Sequence, residues 1–112
     1  MRHHPYEATA AKALLPLLDS IRRELEERGE TLARIEERID SLAHGPCSRE
    51  AEQRFLLAEA SAERRELRRC HRELERLGCS VLGTKPLTIR IPTVEGATKK
   101  SLVWQHGRDP HA

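Results

Sequence analysis

Two heptad seams, broken at what reads as the same level, constrain this chain more than any other feature. Between Glu7 and Ala43 the apolar residues fall at Leu14, Leu18, Ile21, Leu25, Leu32, Ile35, Ile39 and Leu42. The steps alternate four and three, and Arg28 fills the one gap. Such a stripe marks a helix packed along its length on another helix. A second seam reads Leu56, Ala60, Glu63, Leu67, Cys70, Leu74 and Leu77. In an antiparallel hairpin the numbers of facing residues add to a near-constant value. Leu14 then faces Leu77, Ile21 faces Cys70, Ile35 faces Leu56, and Arg28 faces Glu63. A charge in a seam is costly unless its opposite faces it. Arg28 and Glu63 are therefore predicted to pair and to set the helix register.

The first helix is expected over 7–43, with Pro16 kinking its first turns because it lacks a backbone donor. His44-Gly45-Pro46 ends it. The second is expected over 48–77, capped by the Ser48 hydroxyl and ended by Gly78 as a C′ glycine. The short connection makes the pair an antiparallel hairpin. After Gly78 the period changes to two. Cys79–Leu82 has the length of a short strand. Leu87, Ile89 and Ile91 alternate with polar residues, a half-buried strand that Pro92 closes. Residues 93–99 read as a loop, and Ser101–Gln105 as the return strand, with Leu102 and Trp104 on one face. The expected architecture is mainly α: a coiled-coil-like two-helix hairpin, then a small β-hairpin over 79–105 and a flexible tail over 106–112. All of it belongs to one domain, 1–112.

Composition narrows the function classes. Charged residues make up 34% of the 112, and only Tyr6, Phe55 and Trp104 are aromatic. A chain so poor in large apolar groups does not build a large enclosed pocket. The 20 basic and 18 acidic residues leave a net charge of +2, no global signal for nucleic acid. No apolar run approaches the roughly 18 residues of a membrane span, and the start does not read as a signal peptide. Three cysteines at irregular spacing fit reduced thiols, so a cytoplasmic location is expected.

Several stretches, in order, resemble a prokaryotic family known as domain of unknown function 2203. Its members open with a pattern close to F-T-x-x-E-A-x-x-L-L-P, which Tyr6-Glu7-Ala8-Thr9-Ala10-Ala11-Lys12-Ala13-Leu14-Leu15-Pro16 follows in length, aromatic start and Leu-Leu-Pro end. A long charged helical region then ends in L-G-V, here Leu77-Gly78-Cys79. Two strand motifs close the pattern, here Leu87–Pro92 and Leu102–Arg108. The resemblance implies an architecture and no established reaction. The family's acid, arginine and acid in those strands are Arg90, Gln105 and Arg108 here, and its later Trp-His segment has no counterpart. This chain reads as a divergent, C-terminally short member.

The second helix carries Arg65, Arg68, Arg69, Arg72 and Arg76 within an arc of roughly 100° opposite the seam. These are the candidates for anion binding, since guanidinium groups grip phosphate oxygens. The competing reading is a solvated face partnered by nearby glutamates. No aromatic residue interleaves to stack on bases. A third option sets the stripe against Glu26, Glu30 and Glu37 of a second subunit. Cys70, His71 and Cys79 are the metal-ligating types close in sequence. Zinc sites normally pair cysteines about two to four residues apart, and Cys70 already has a place in the seam. No phosphate loop, nucleophile elbow or zinc-protease motif is present. No catalytic residue and no cofactor are therefore assigned.

Leu15, Leu17, Phe55 and Leu57 do not fit one narrow seam, and Phe55 and Leu57 flank Leu56 on opposite sides. Leftover apolar surface asks for a partner, most simply a second copy completing a four-helix bundle. The expected function is a non-enzymatic, self-associating scaffold or adaptor. The alternatives are a binder of nucleic acid or another acidic ligand through the arginine stripe, and a metal-binding protein.

Overall fold

The computed structural model describes residues 5–45 and 49–111. Among the described residues, the helices α1 (Ala8–Ala13), α2 (Leu15–Ala43) and α3 (Glu50–Arg76) precede the strands β1 (Ser80–Thr84), β2 (Leu87–Glu95) and β3 (Thr98–Gln105). The chain forms two compact units. One is drawn from the residues up to Arg22 and from His71 onward; the other is Arg23–Cys70.

The helical unit contains most of α2 and α3. Leu25, Ile35, Leu42, Ala60 and Cys70 are buried along it. Ion pairs from Arg28 to Glu63 and from Arg38 to Glu52 join residues far apart in sequence, so the helices run antiparallel. The proposed Ser48 cap lies outside the described residues.

In the sheet unit the strands lie in the order β1-β2-β3, both pairs antiparallel. Leu87, Ile89, Ile91 and Thr93 of β2 are buried, alternating with more exposed neighbours. Leu18, Leu74, Ile89 and Ile91 are its largest fully buried side chains, and Trp104 is 6% exposed. The end of α3 is a Schellman closure. Gly78, at φ 77°, donates to Glu75, and Cys79 donates to the Leu74 carbonyl.

The structure corrects several expectations. The helix predicted over 7–43 is broken at Leu14, whose N–H turns back to the Ala11 carbonyl at 3.1 Å. Pro16 sits in the first turn of α2, where no donor is needed, so the helix restarts there and does not merely kink. The β segment is a three-stranded sheet and not a hairpin: β1 pairs Ser80 with Arg90 and Thr84 with Leu87.

Pro92 does not close β2, which runs on to Glu95, and residues 93–99 are not one loop. The Pro92 carbonyl accepts from the Tyr6 N–H, so its missing donor falls on that same side, away from β3. Gly96, at φ 61°, and Ala97 make the two-residue turn, the pattern of a type II′ hairpin. Tyr6 fills the ladder that β1 leaves open: it donates to Pro92, accepts from Val94, and its hydroxyl donates to the Leu77 carbonyl at 2.8 Å. Residues 106–111, read from the sequence as a tail, turn at Gly107 and bring His111 into backbone pairing with Val103.

Candidate interaction surface

The two flanks of the helical unit differ in how their charges are satisfied. One flank carries a row of contacts within the chain. The Arg28 guanidinium donates to Glu24 at 3.0 Å and to Glu63 at 3.2 Å, and stands 3.7 Å from Glu66. Arg69 donates to Glu24 at 2.6 Å and to Glu66 at 2.8 Å, and Arg38 donates to Glu52 at 3.0 Å. These contacts shift the titrations. Glu24 lies below the usual carboxylate range, chiefly through the hydrogen bond from Arg28, and Glu52 does so through Arg38. The same Glu24 bond is the main reason that Arg28 holds its proton more firmly than a free guanidinium. The Arg28 side chain is 32% exposed and that of Glu63 20%, so the pair is partly screened by water.

The other flank presents Gly29, Glu30, Ala33 and Glu37 on α2, and Arg54, Leu57 and Arg65 on α3. Glu36 and Arg64 approach each other there at 4.0 Å. Among the described residues, Glu30, Glu37, Arg54 and Arg65 have no ion pair, and all four are exposed. Leu57 is 51% exposed on this flank, and Phe55 is 63% exposed on the first.

The arginine stripe is divided. Arg65, Arg68 and Arg69 belong to the helical unit, Arg72 and Arg76 to the sheet unit. All five are exposed, but Arg69 is committed to Glu24 and Glu66. Of the metal-ligating types, Cys70 is buried in the helical unit, while Cys79 is buried and His71 exposed in the sheet unit. Burial pushes the Cys79 thiol up to about 11, which disfavours the thiolate a metal needs. Among the described residues, no group of three or more His, Cys, Asp or Glu side chains is placed to hold a metal ion. Arg90 is exposed on the sheet, Gln105 donates to the Thr88 hydroxyl at 2.9 Å, and Arg108 is exposed beyond β3.

Depressions lie among the described residues of the sheet unit. A cleft of about 590 Å³ opens between the start of α1 and the β2–β3 turn, lined by Glu7, Thr9, Thr93, Glu95, Lys100 and Ser101 among others. Lys100 and Glu95 pair there at 2.7 Å, which lowers the Glu95 carboxyl. Sequence periodicity carries no sign of this cleft, because it forms only where Tyr6 brings the N-terminal segment to β2. A smaller depression of about 290 Å³ lies beside His71, Glu75 and Cys79.

Among the described residues, no helix is long and apolar enough to cross a membrane. No curated protein and no solved structure matches the chain. A family model described as an uncharacterized conserved protein, DUF2203, matches residues 5–110. The order of motifs from Tyr6 to Arg108 is thus that of a family, and the chain belongs to DUF2203.

Proposed function

We propose that this protein is a non-enzymatic, self-associating scaffold or adaptor, and that its helical unit joins a second copy to build a four-helix bundle. The observation that carries the proposal is the exposure of Leu57, more than half open on a hairpin only two helices thick. Large apolar groups on such a hairpin gain by association. The sheet edges offer no competing route. On β1 the register shifts between Val81 and Gly83, a bulge that turns the edge aside. On β3 the edge carries Lys99 and Lys100 and is paired at Val103 by His111. Sedimentation or light scattering at micromolar concentration should give about twice the 12.8 kDa chain mass. A folded species that stays at the chain mass at that concentration overturns the proposal.

A second reading has one supporting observation. Arg65, Arg68, Arg72 and Arg76 have no ion pair among the described residues. An anion or nucleic-acid binder would show affinity for a DNA or RNA duplex that falls steeply with salt, as counterions are released. The scaffold reading expects no such binding at physiological ionic strength.

A further inference from the structure

We infer that two copies meet through the flank that bears Leu57, side by side and parallel, with α3 of each lying on α2 of the other. This rests on the self-association proposed above and names its surface. The first flank is a poor choice, because its charges are already paired within the chain. The second is self-complementary, and the register of the hairpin shows how.

Arg28 pairs with Glu63 and Arg38 with Glu52, which fixes the level of every residue along the unit. Leu57 of α3 therefore stands level with Ala33 and Arg34 of α2, and Arg54 level with Glu37. A two-fold axis parallel to the helices preserves level. It sets Leu57 over the exposed Ala33 of the second copy and Arg54 beside that copy's Glu37. Glu30 falls one helical turn from the level of Arg65, within reach of a long guanidinium side chain. Gly29 leaves room one turn from Ala33: nothing lies within 4 Å of where its Cβ would stand.

An apolar anchor thus enters a shallow notch, rimmed by opposite charges that have no ion pair among the described residues of their own chain. The contact occurs twice in the dimer, as an isologous interface requires.

The test uses the full chain and two charge-reversed variants, Glu30→Arg with Glu37→Arg, and Arg54→Glu with Arg65→Glu. Each variant places like charges at both contacts and should sediment as a monomer with unchanged helical circular dichroism. Mixed together they should recover the dimer, because each then supplies the other's complement at both contacts. Leu57→Gln, a single exposed position, should raise the dimer dissociation constant at least about tenfold. A wild-type chain that is monomeric overturns both this inference and the self-association reading. A dimeric wild type overturns the inference alone under any of three results: the reversed variants still dimerise, folded monomeric variants fail to recombine, or Leu57→Gln leaves the dissociation constant unchanged.

Discussion

The Arg28 guanidinium donates to the Glu63 carboxylate across 3.2 Å, at the one level where both apolar seams of the hairpin are interrupted. Arg28 also holds Glu24, four residues back on its own helix, so one cation ties two helices together. Replacing Arg28 with Leu removes the partner of Glu63 and should destabilise by about 1 kcal/mol, the low end for a lost charged hydrogen bond because water reaches both groups. Replacing both with Leu should recover the loss. Urea unfolding of the two single variants and the double variant measures the coupling. A coupling energy of zero would show that the pair does not link the helices.

Acid should weaken the helical unit. Glu24 and Glu52 titrate below the ordinary carboxylate range, mainly through hydrogen bonds from Arg28 and Arg38. Their folded values lie below their unfolded values. The stability they contribute is therefore complete above the unfolded value of about 4.3 and lost as pH falls through the folded values. Thermal melting should be flat near neutrality and drop in the acid range. Glu24→Gln should lower the neutral plateau and shallow that drop; an identical acid limb would count against the pairing.

Cys79 should resist alkylation in the native state. It is 3% exposed, and burial raises its thiol to about 11. This folded value lies above the unfolded one, so the contribution is complete below the unfolded thiol value and lost as pH climbs toward the folded one. Mass-spectrometric mapping after iodoacetamide treatment at about pH 8 should show Cys79 unmodified until denaturant is added. Rapid native labelling would show that the closure at Gly78 opens readily.

Tyr6→Phe should cost about 1 kcal/mol. The Tyr6 hydroxyl bonds the Leu77 carbonyl at 2.8 Å, whereas its backbone pairing with Pro92 and Val94 survives the substitution. Denaturant midpoints should shift with an unchanged slope. No shift would mean that the hydroxyl exchanges its partner for water without loss.

Ile89→Ala should cost about 2–5 kcal/mol, the range for truncating a large aliphatic core side chain. Ile89 is fully buried on β2, paired with Val81 on one side and Trp104 on the other. A cost under about 0.5 kcal/mol, the range of surface substitutions, would show that the sheet does not depend on this core.

The sequence by itself determined the two long helices, their antiparallel sense and the level of Arg28 with Glu63. Helix periodicity repeats every turn, and a seam records which side of a helix is covered. The closure at Gly78 was equally legible, because an αL glycine after an apolar seam is a local signal. Tertiary structure decided the rest. Pro92 reads as a strand terminator, yet β2 continues because the edge it faces holds Tyr6, from near the start of the chain. β1 pairs with the Leu87–Arg90 stretch of β2 despite its bulge at Leu82. The flanks were legible as rows of residues, but not their state. Only the packed side chains show that Arg69 is spent on Glu24 and Glu66 while Arg54 and Arg65 have no ion pair among the described residues. Charge pairing across helices depends on distances of a few ångströms, which spacing along one helix does not encode.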